Sequence, residues 1–163
     1  MNKDEFDRLI QQHQGIIWKV CRAFARNRED QKDLFQEILY NLWKGRTTFS
    51  GNSKITTWIY RVSFNRAIDY SRKKRVQTTE LDESTMLSPN KHKAEYDIEA
   101  LYIAISRLNP VDRSIIILYL DKYSYKEIAE ITGLSEKNVS VKLVRIKEKL
   151  KDQYLKLTKT PQL

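Results

Sequence analysis

Apolar residues recur at three- and four-residue spacing along almost the whole chain, which is the period of helices that each bury one face. The pattern predicts helices over about 3–26, 30–44 and 53–73, followed by helices over about 94–107, 110–121, 124–131 and 135–155. The first of these is either continuous or broken near Gly15. One stretch departs from the pattern: Val76 to Lys93, VQTTELDESTMLSPNKHK, has no helical period and carries Ser88-Pro89-Asn90. The expected architecture is all-α, with two small helical domains, 1–75 and 94–163, joined by a flexible linker over 76–93. No internal repeat or low-complexity tract is present.

The sharpest local signal is YSYKEIAEITGLSEKNVSVKLVRIKEKL, residues 123–150. Ser124 with Glu127 has the spacing of a capping box, and Tyr123 with Ile128 that of a hydrophobic staple across the same turn. Gly133 suits a left-handed helix end, Ser135 suits the next N-cap, and Leu134 with Val139 repeats the staple. Ala129 is small where two helices must cross closely. On the following helix Val139, Leu143, Ile146 and Leu150 share an apolar stripe, while Asn138, Val141, Lys142, Arg145 and Lys149 lie on another side. An amide, an apolar tip and cations on one helix face suit base edges and phosphates in a major groove, so the segment reads as a DNA-binding helix-turn-helix. The bland alternative is an amphipathic surface helix.

A second segment, FSGNSKITTWIYRVSFNRAIDYSRKKR, mixes Phe49, Trp58, Tyr60, Phe64 and Tyr70 with cations. Lys54, Trp58, Arg61, Asn65 and Arg72 fall along one side of a helix. Cations hold phosphates and rings stack on unpaired bases, so this pattern fits a separated strand as well as it fits an ordinary core. In the preceding DLFQEILYNLWK, Leu34, Ile38 and Leu42 form the buried stripe, flanked by Phe35, Leu39 and Trp43. Asp33, Gln36, Glu37, Tyr40 and Lys44 face the other way, either as a solvated face or as the edge of a protein contact.

Charge sharpens this picture. The 163 residues carry 30 Lys plus Arg against 21 Asp plus Glu, a net of +9. Lys54 to Arg75 holds seven bases and one acid, Glu95 to Leu134 four bases and seven acids, and Ser135 to Lys156 seven bases and three acids. Two basic blocks separated by an acidic one point to two anion-facing surfaces. Hydrophobic residues make up 40% of the chain, enough for a packed core, and no apolar run reaches the roughly 18 residues of a membrane span. One cysteine excludes an internal disulfide, and one cysteine with two histidines cannot supply a Cys/His zinc site. His13 and His92 have no nucleophile or carboxylate constellation beside them, so neither an enzyme nor a cofactor site is expected. Cys21, among Ile17, Val20 and Phe24, reads as a small buried hydrophobe.

Taken in order, DLFQEILYNLWK, FSGNSKITTWIYRVSFNRAIDYSRKKR and ALYIAISRLNPVDRSIIILYLDKYSYKEIAEITGLSEKNVSVKLVRIKEKL resemble three segments of the bacterial RNA polymerase sigma factors of the extracytoplasmic-function group. The resemblance implies a transcription initiation factor with no chemistry of its own. It would bind core RNA polymerase and direct it to promoter DNA, reading the minus-35 element as duplex and the minus-10 element as melted strand. Asp33, Leu34, Gln36, Glu37 and Trp43 match the polymerase-binding positions. Phe49, Ser50, Gly51, Asn52 and Ser53 match the loop that receives a flipped base. Lys54, Trp58, Arg61 and Asn65 match the helix along the unpaired strand, with Arg72, Lys73, Lys74 and Arg75 on flanking phosphates. Lys137, Asn138, Ser140, Val141, Lys142 and Arg145 match the minus-35 recognition helix; many relatives carry arginines where this chain has Ser140 and Lys142, and a lysine lacks the bidentate fork. A linker bearing Glu80, Asp82 and Glu83 would pass through the polymerase. The resemblance also implies an anti-sigma factor as partner, a cytoplasmic location or tethering at the inner membrane by that factor, and no small-molecule substrate. The competing expectation is an autonomous helix-turn-helix regulator acting as a dimer, which leaves residues 1–75 unexplained.

Overall fold

The computed structural model describes residues 1–77, 87 and 91–159. Among these residues there are seven helices and no strand: α1 Lys3–Phe24, α2 Arg28–Gly45, α3 Ile55–Gln77, α4 Lys93–Ser106, α5 Pro110–Leu120, α6 Tyr125–Thr132 and α7 Glu136–Lys159.

Local chemistry sets most of the helix starts. Asn2 Oδ1 accepts the Glu5 N–H at 2.9 Å while Glu5 Oε2 accepts the Asn2 N–H at 2.8 Å, a reciprocal cap on α1. Asn27 caps α2 through the Asp30 N–H at 2.8 Å, and Asn109 caps α5 through the Asp112 N–H at 2.9 Å, with Pro110 in the first turn where its missing N–H is not needed. Gly15 does not break α1. The helix runs through it because Ile17, Val20, Cys21 and Phe24 are buried along one face, which outweighs the roughly 1 kcal/mol that a mid-helix glycine costs.

α1, α2 and α3 pack around Ile17, Leu34, Ile38, Leu42, Ile59 and Phe64, and α4 to α7 around Ile105, Ile115, Leu118, Ile128, Val139, Leu143 and Ile146. These two groups of helices are in contact: α1 packs on α4 and α5, and α3 on α5 and α6, so the apolar cores merge. α3 runs past the expected end to Gln77, with Lys74 and Arg75 in its last turn, where cations complement the helix dipole. Residues 78–86 and 88–90, which carry most of the expected linker together with Glu80, Asp82 and Glu83, lie outside the described residues. Cys21 is fully buried, and burial pushes its thiol up to about 12, so it stays protonated and acts as a small hydrophobe.

Candidate nucleic-acid and polymerase interfaces

α2 turns Asp33, Gln36, Glu37 and Tyr40 outward, with Tyr40 60% exposed under the ammonium of Lys44. Two residues expected on this surface are placed differently. Leu34 is 0% exposed: the i, i+4 stripe that it shares with Ile38 faces the core, so it supports the surface without reaching it. Trp43 is half-buried between the Phe6 ring, 5.1 Å away edge-on, and the Arg46 guanidinium stacked 3.4 Å above it. Glu37 is exposed but pairs with Arg66 on α3 at 2.9 Å.

The loop between α2 and α3 is exposed at Ser50, Gly51 and Asn52, and Gly51 takes a left-handed φ of 76° that only glycine adopts without cost. Phe49 leans on Trp58 at 5.1 Å between ring centroids, and a Cβ on Gly45 would come within 3.6 Å of the same indole. Trp58 is thus the support on which the loop rests. Asn65, Arg72, Lys73 and Arg75 are exposed along α3; Lys74 lies 3.6 Å from Asp30.

Two cations of this surface face α6. The Arg61 guanidinium forks onto the Glu130 carbonyl oxygen, Nε at 3.1 Å and Nη2 at 2.6 Å, and Lys54 Nζ lies 3.3 Å from Glu127 Oε1. Beside them Tyr60, fully buried, donates its hydroxyl to Asp121 Oδ2 at 2.5 Å, while Lys19 Nζ donates to Asp121 Oδ1 at 2.5 Å. Burial alone would raise the Asp121 carboxyl, but the bonds from Lys19 and Tyr60 hold it below the usual carboxylate value. Burial first, then the bond to Asp121, pushes the Tyr60 hydroxyl far up, so it stays a donor. Arg113 on α5 completes the contact. It donates to the Leu108 carbonyl at 2.8 Å and to Ser71 Oγ at 3.4 Å and lies 5.3 Å from the Phe24 ring centre, and burial together with Arg26 lowers it to about 10, still cationic at neutral pH.

The helix-turn-helix has its expected caps. Ser124 Oγ accepts the Glu127 N–H at 3.1 Å and Glu127 returns a bond to the Ser124 N–H at 2.8 Å; Gly133 has φ 78°, and Ser135 Oγ accepts the Asn138 N–H at 3.1 Å. α7 buries Val139, Leu143 and Ile146 and exposes Lys137, Asn138, Val141 and Arg145. Ser140 and Lys142 are half-buried. Lys142 leans back toward Asp112 on α5, Nζ to Oδ1 3.8 Å, and so is directed at the protein as much as at a ligand. Val144, 60% exposed and not among the residues expected on this face, lies three residues from Val141 and so shares its side of α7, a placement that the helical wheel already gives.

The described residues contain no group of three His, Cys, Asp or Glu that could hold a metal ion, and no helix among them is long and apolar enough to cross a membrane.

Helices α1 to α3 match the family model for Sigma-70 region 2 over residues 9–76, and α4 to α7 match that for Sigma-70 region 4 over residues 98–150. The chain is similar to the RNA polymerase sigma factors YlaC of Bacillus subtilis (29% identity, covering 95% of both chains) and SigV of the same organism (28%, covering 92% of this chain and 89% of SigV). It is also similar to the ECF RNA polymerase sigma factor SigM of Mycobacterium tuberculosis (24%, covering 89% and 74%). In fold it resembles the sigma factor RpoE of Bartonella quintana, solved with the anti-sigma factor NepR, with a TM-score of 0.72 at 20% identity over 91% of this chain and 96% of that one. CnrH, solved with the cytosolic domain of CnrY, gives 0.69 at 20% identity over 93% and 88%. The chain belongs to the sigma-70 family of RNA polymerase sigma factors, in its extracytoplasmic-function group. It is a transcription initiation factor that directs polymerase to promoters. The region 2 match accounts for the residues that an autonomous dimeric regulator left unexplained, and does not favour that alternative.

Proposed function

We propose that α2 binds core polymerase through Asp33, Gln36, Glu37 and Tyr40, with Leu34 and Trp43 holding that face in shape from below. The loop Phe49 to Ser53 and the outer side of α3, from Lys54 through Trp58, Arg61 and Asn65 to the Arg72–Arg75 cluster, take the melted minus-10 strand. The exposed side of α7, Lys137, Asn138, Val141, Val144 and Arg145, enters the major groove of the minus-35 element, and Lys142 sets its tilt through Asp112. Asn offers a bidentate amide to adenine, the valines touch a thymine methyl and Arg145 reaches guanine or phosphate. The domains are 1–75 and 94–163, with 76–93 spanning between them inside the polymerase; joining two modest DNA grips raises the effective concentration of each for its element.

The observation that carries this reading is the engagement of Arg61 and Lys54 by α6. Two of the five guanidinium donors of Arg61 are held by the Glu130 carbonyl and Lys54 pairs with Glu127, so the compact arrangement occupies part of the minus-10 surface while leaving α7 open. Polymerase binding frees these groups by parting α3 from α6 before melting proceeds. The two structural neighbours were solved with anti-sigma partners. By extension, an anti-sigma factor, soluble or anchored at the inner membrane, holds this chain inactive in the cytoplasm.

The test is binding of a promoter duplex by the chain alone, by core alone and by both. Binding and permanganate-reactive thymines at the minus-10 element only in the mixture support the reading. Tight binding by the chain alone with a two-fold footprint would replace it with a dimeric regulator.

A further inference from the structure

Between the first three turns of α1 and the loop leading out of α2 lies an open cleft of about 620 Å³, within the range of roughly 300–1,000 Å³ typical of small-ligand sites. Arg8 and Gln12 form one wall, and Arg46, Phe49, Ser50 and Gly51 the other. One wall belongs to the loop already assigned to a flipped base; the α1 wall has no role so far.

Its chemistry suits a nucleotide. Arg8 and Gln12 are four apart, so they stand on one face of α1, and both are exposed. Neither side chain makes a hydrogen bond or ion pair among the described residues. Across the cleft, Arg46 lies flat on Trp43 and gives Nη1 to the Trp43 carbonyl at 2.6 Å, while its Nε is buried without a partner. Glu5 also lines the cleft, its Oε2 spent on the Asn2 N–H. Its carboxylate repels a phosphate and accepts from an exocyclic amino group, so the base itself, with the backbone outside, belongs at that end.

We infer that α1 supplies half of the seat for the extruded base: Gln12 reads the base's hydrogen-bonding edge and Arg8 holds the adjoining phosphate, opposite Phe49 to Gly51. Extrusion costs a few kcal/mol, and a pocket with walls from two elements returns more of it than a loop alone. The inference rests on the reading that the 49–53 loop receives the base, and adds a specificity residue outside that loop. Because Glu5 favours an amino-bearing base, thymine is disfavoured at this position.

The experiment challenges holoenzyme, assembled from core polymerase and this chain, with partly single-stranded DNA whose unpaired strand is randomised, and sequences what is bound. Wild type selects a base at one position at least, with thymine depleted. Gln12→Ala reduces that preference by about tenfold and leaves the other positions alone, the size of one lost edge contact. Arg8→Ala weakens binding severalfold whatever the base. An abasic site at the position removes any effect of Gln12→Ala. A Gln12→Ala holoenzyme that keeps the preference, or that loses as much affinity for abasic DNA as for intact DNA, overturns the role of α1. If Asn52→Ala abolishes the preference in that same case, the loop reading survives alone; if wild type has no preference at any unpaired position, both fall.

Discussion

Arg61 of α3 and Glu130 of α6 are joined by a two-pronged hydrogen bond, Nε at 3.1 Å and Nη2 at 2.6 Å from the same carbonyl oxygen, across 69 residues of chain. The pair ties the helix assigned to melted strand to the first helix of the helix-turn-helix. Because the acceptor is main chain, no side-chain substitution at Glu130 releases it; Arg61 itself, or the packing around it, has to move.

The packing around it centres on Asp121. Asp121→Asn removes the charge-assisted bond to Lys19 while keeping an acceptor for Tyr60. With both partners of the ion pair partly exposed, the loss is about 1 kcal/mol, or a drop of roughly 2–4 °C in the thermal midpoint of a chain this size. Faster hydrogen exchange in α6 and undiminished transcription with core polymerase should accompany it. A fall in transcription that parallels the loss of stability would show that the contact serves the active state.

Asp121 also makes the contact acid-sensitive. Its carboxyl is held below the usual value in the folded chain, so its contribution is fully present above about pH 4, the unfolded value, and is lost as pH falls through the depressed folded value. The gap in thermal midpoint between wild type and Asp121→Asn should be constant above about pH 5, narrow as pH falls below about pH 4, and close once pH has passed the depressed folded value. A gap that persists there would place the stabilisation elsewhere.

Strand capture separates from duplex binding. Asn65→Ala, Arg61→Ala or replacement of the 49–53 loop should slow open-complex formation by holoenzyme, read by permanganate reactivity, far more than it weakens closed-complex binding. Equal losses in both would count against α3 as the strand-holding helix.

On α7 two neighbouring cations should behave differently. Arg145→Ala should weaken minus-35 binding, relaxing the base preference if it reads a base and leaving it intact if it meets phosphate. Lys142→Ala should act mainly on stability, by about 1 kcal/mol, because it leaves Asp112, largely buried, without its cation. Thermal melts and duplex binding on the two variants distinguish these roles.

Features set by neighbours in sequence were legible from the sequence. The Ser124–Glu127 box, the Gly133 turn, the Ser135 cap and the apolar stripe of α7 each depend on residues within a turn or two, and the structure has all of them. What was not legible depends on long-range packing. Helical period puts Leu34 in a buried stripe, while the resemblance put it among the polymerase-binding positions, and the packed helix bundle has it fully buried. Nothing near Gly15 indicates that the buried face of α1 carries the helix through. The closure of α3 on α6 brings together Tyr60 and Asp121, 61 residues apart. Their types alone, a tyrosine in an aromatic helix and an aspartate after α5, do not reveal a pair. Lys142 reads as a DNA contact on a helical wheel and as a partner of Asp112 only once α5 is set against α7.

The central claim is that this chain confers promoter choice on core polymerase. The direct measurement is in vitro transcription from genomic DNA of the source organism by core polymerase, with and without the chain, with start sites mapped. The account predicts discrete starts that appear only with the chain, share two spaced upstream elements and vanish with Asp33→Ala/Gln36→Ala. The same start sites with and without the chain, or starts unaffected by that double substitution and by the loss of Arg145, would contradict it.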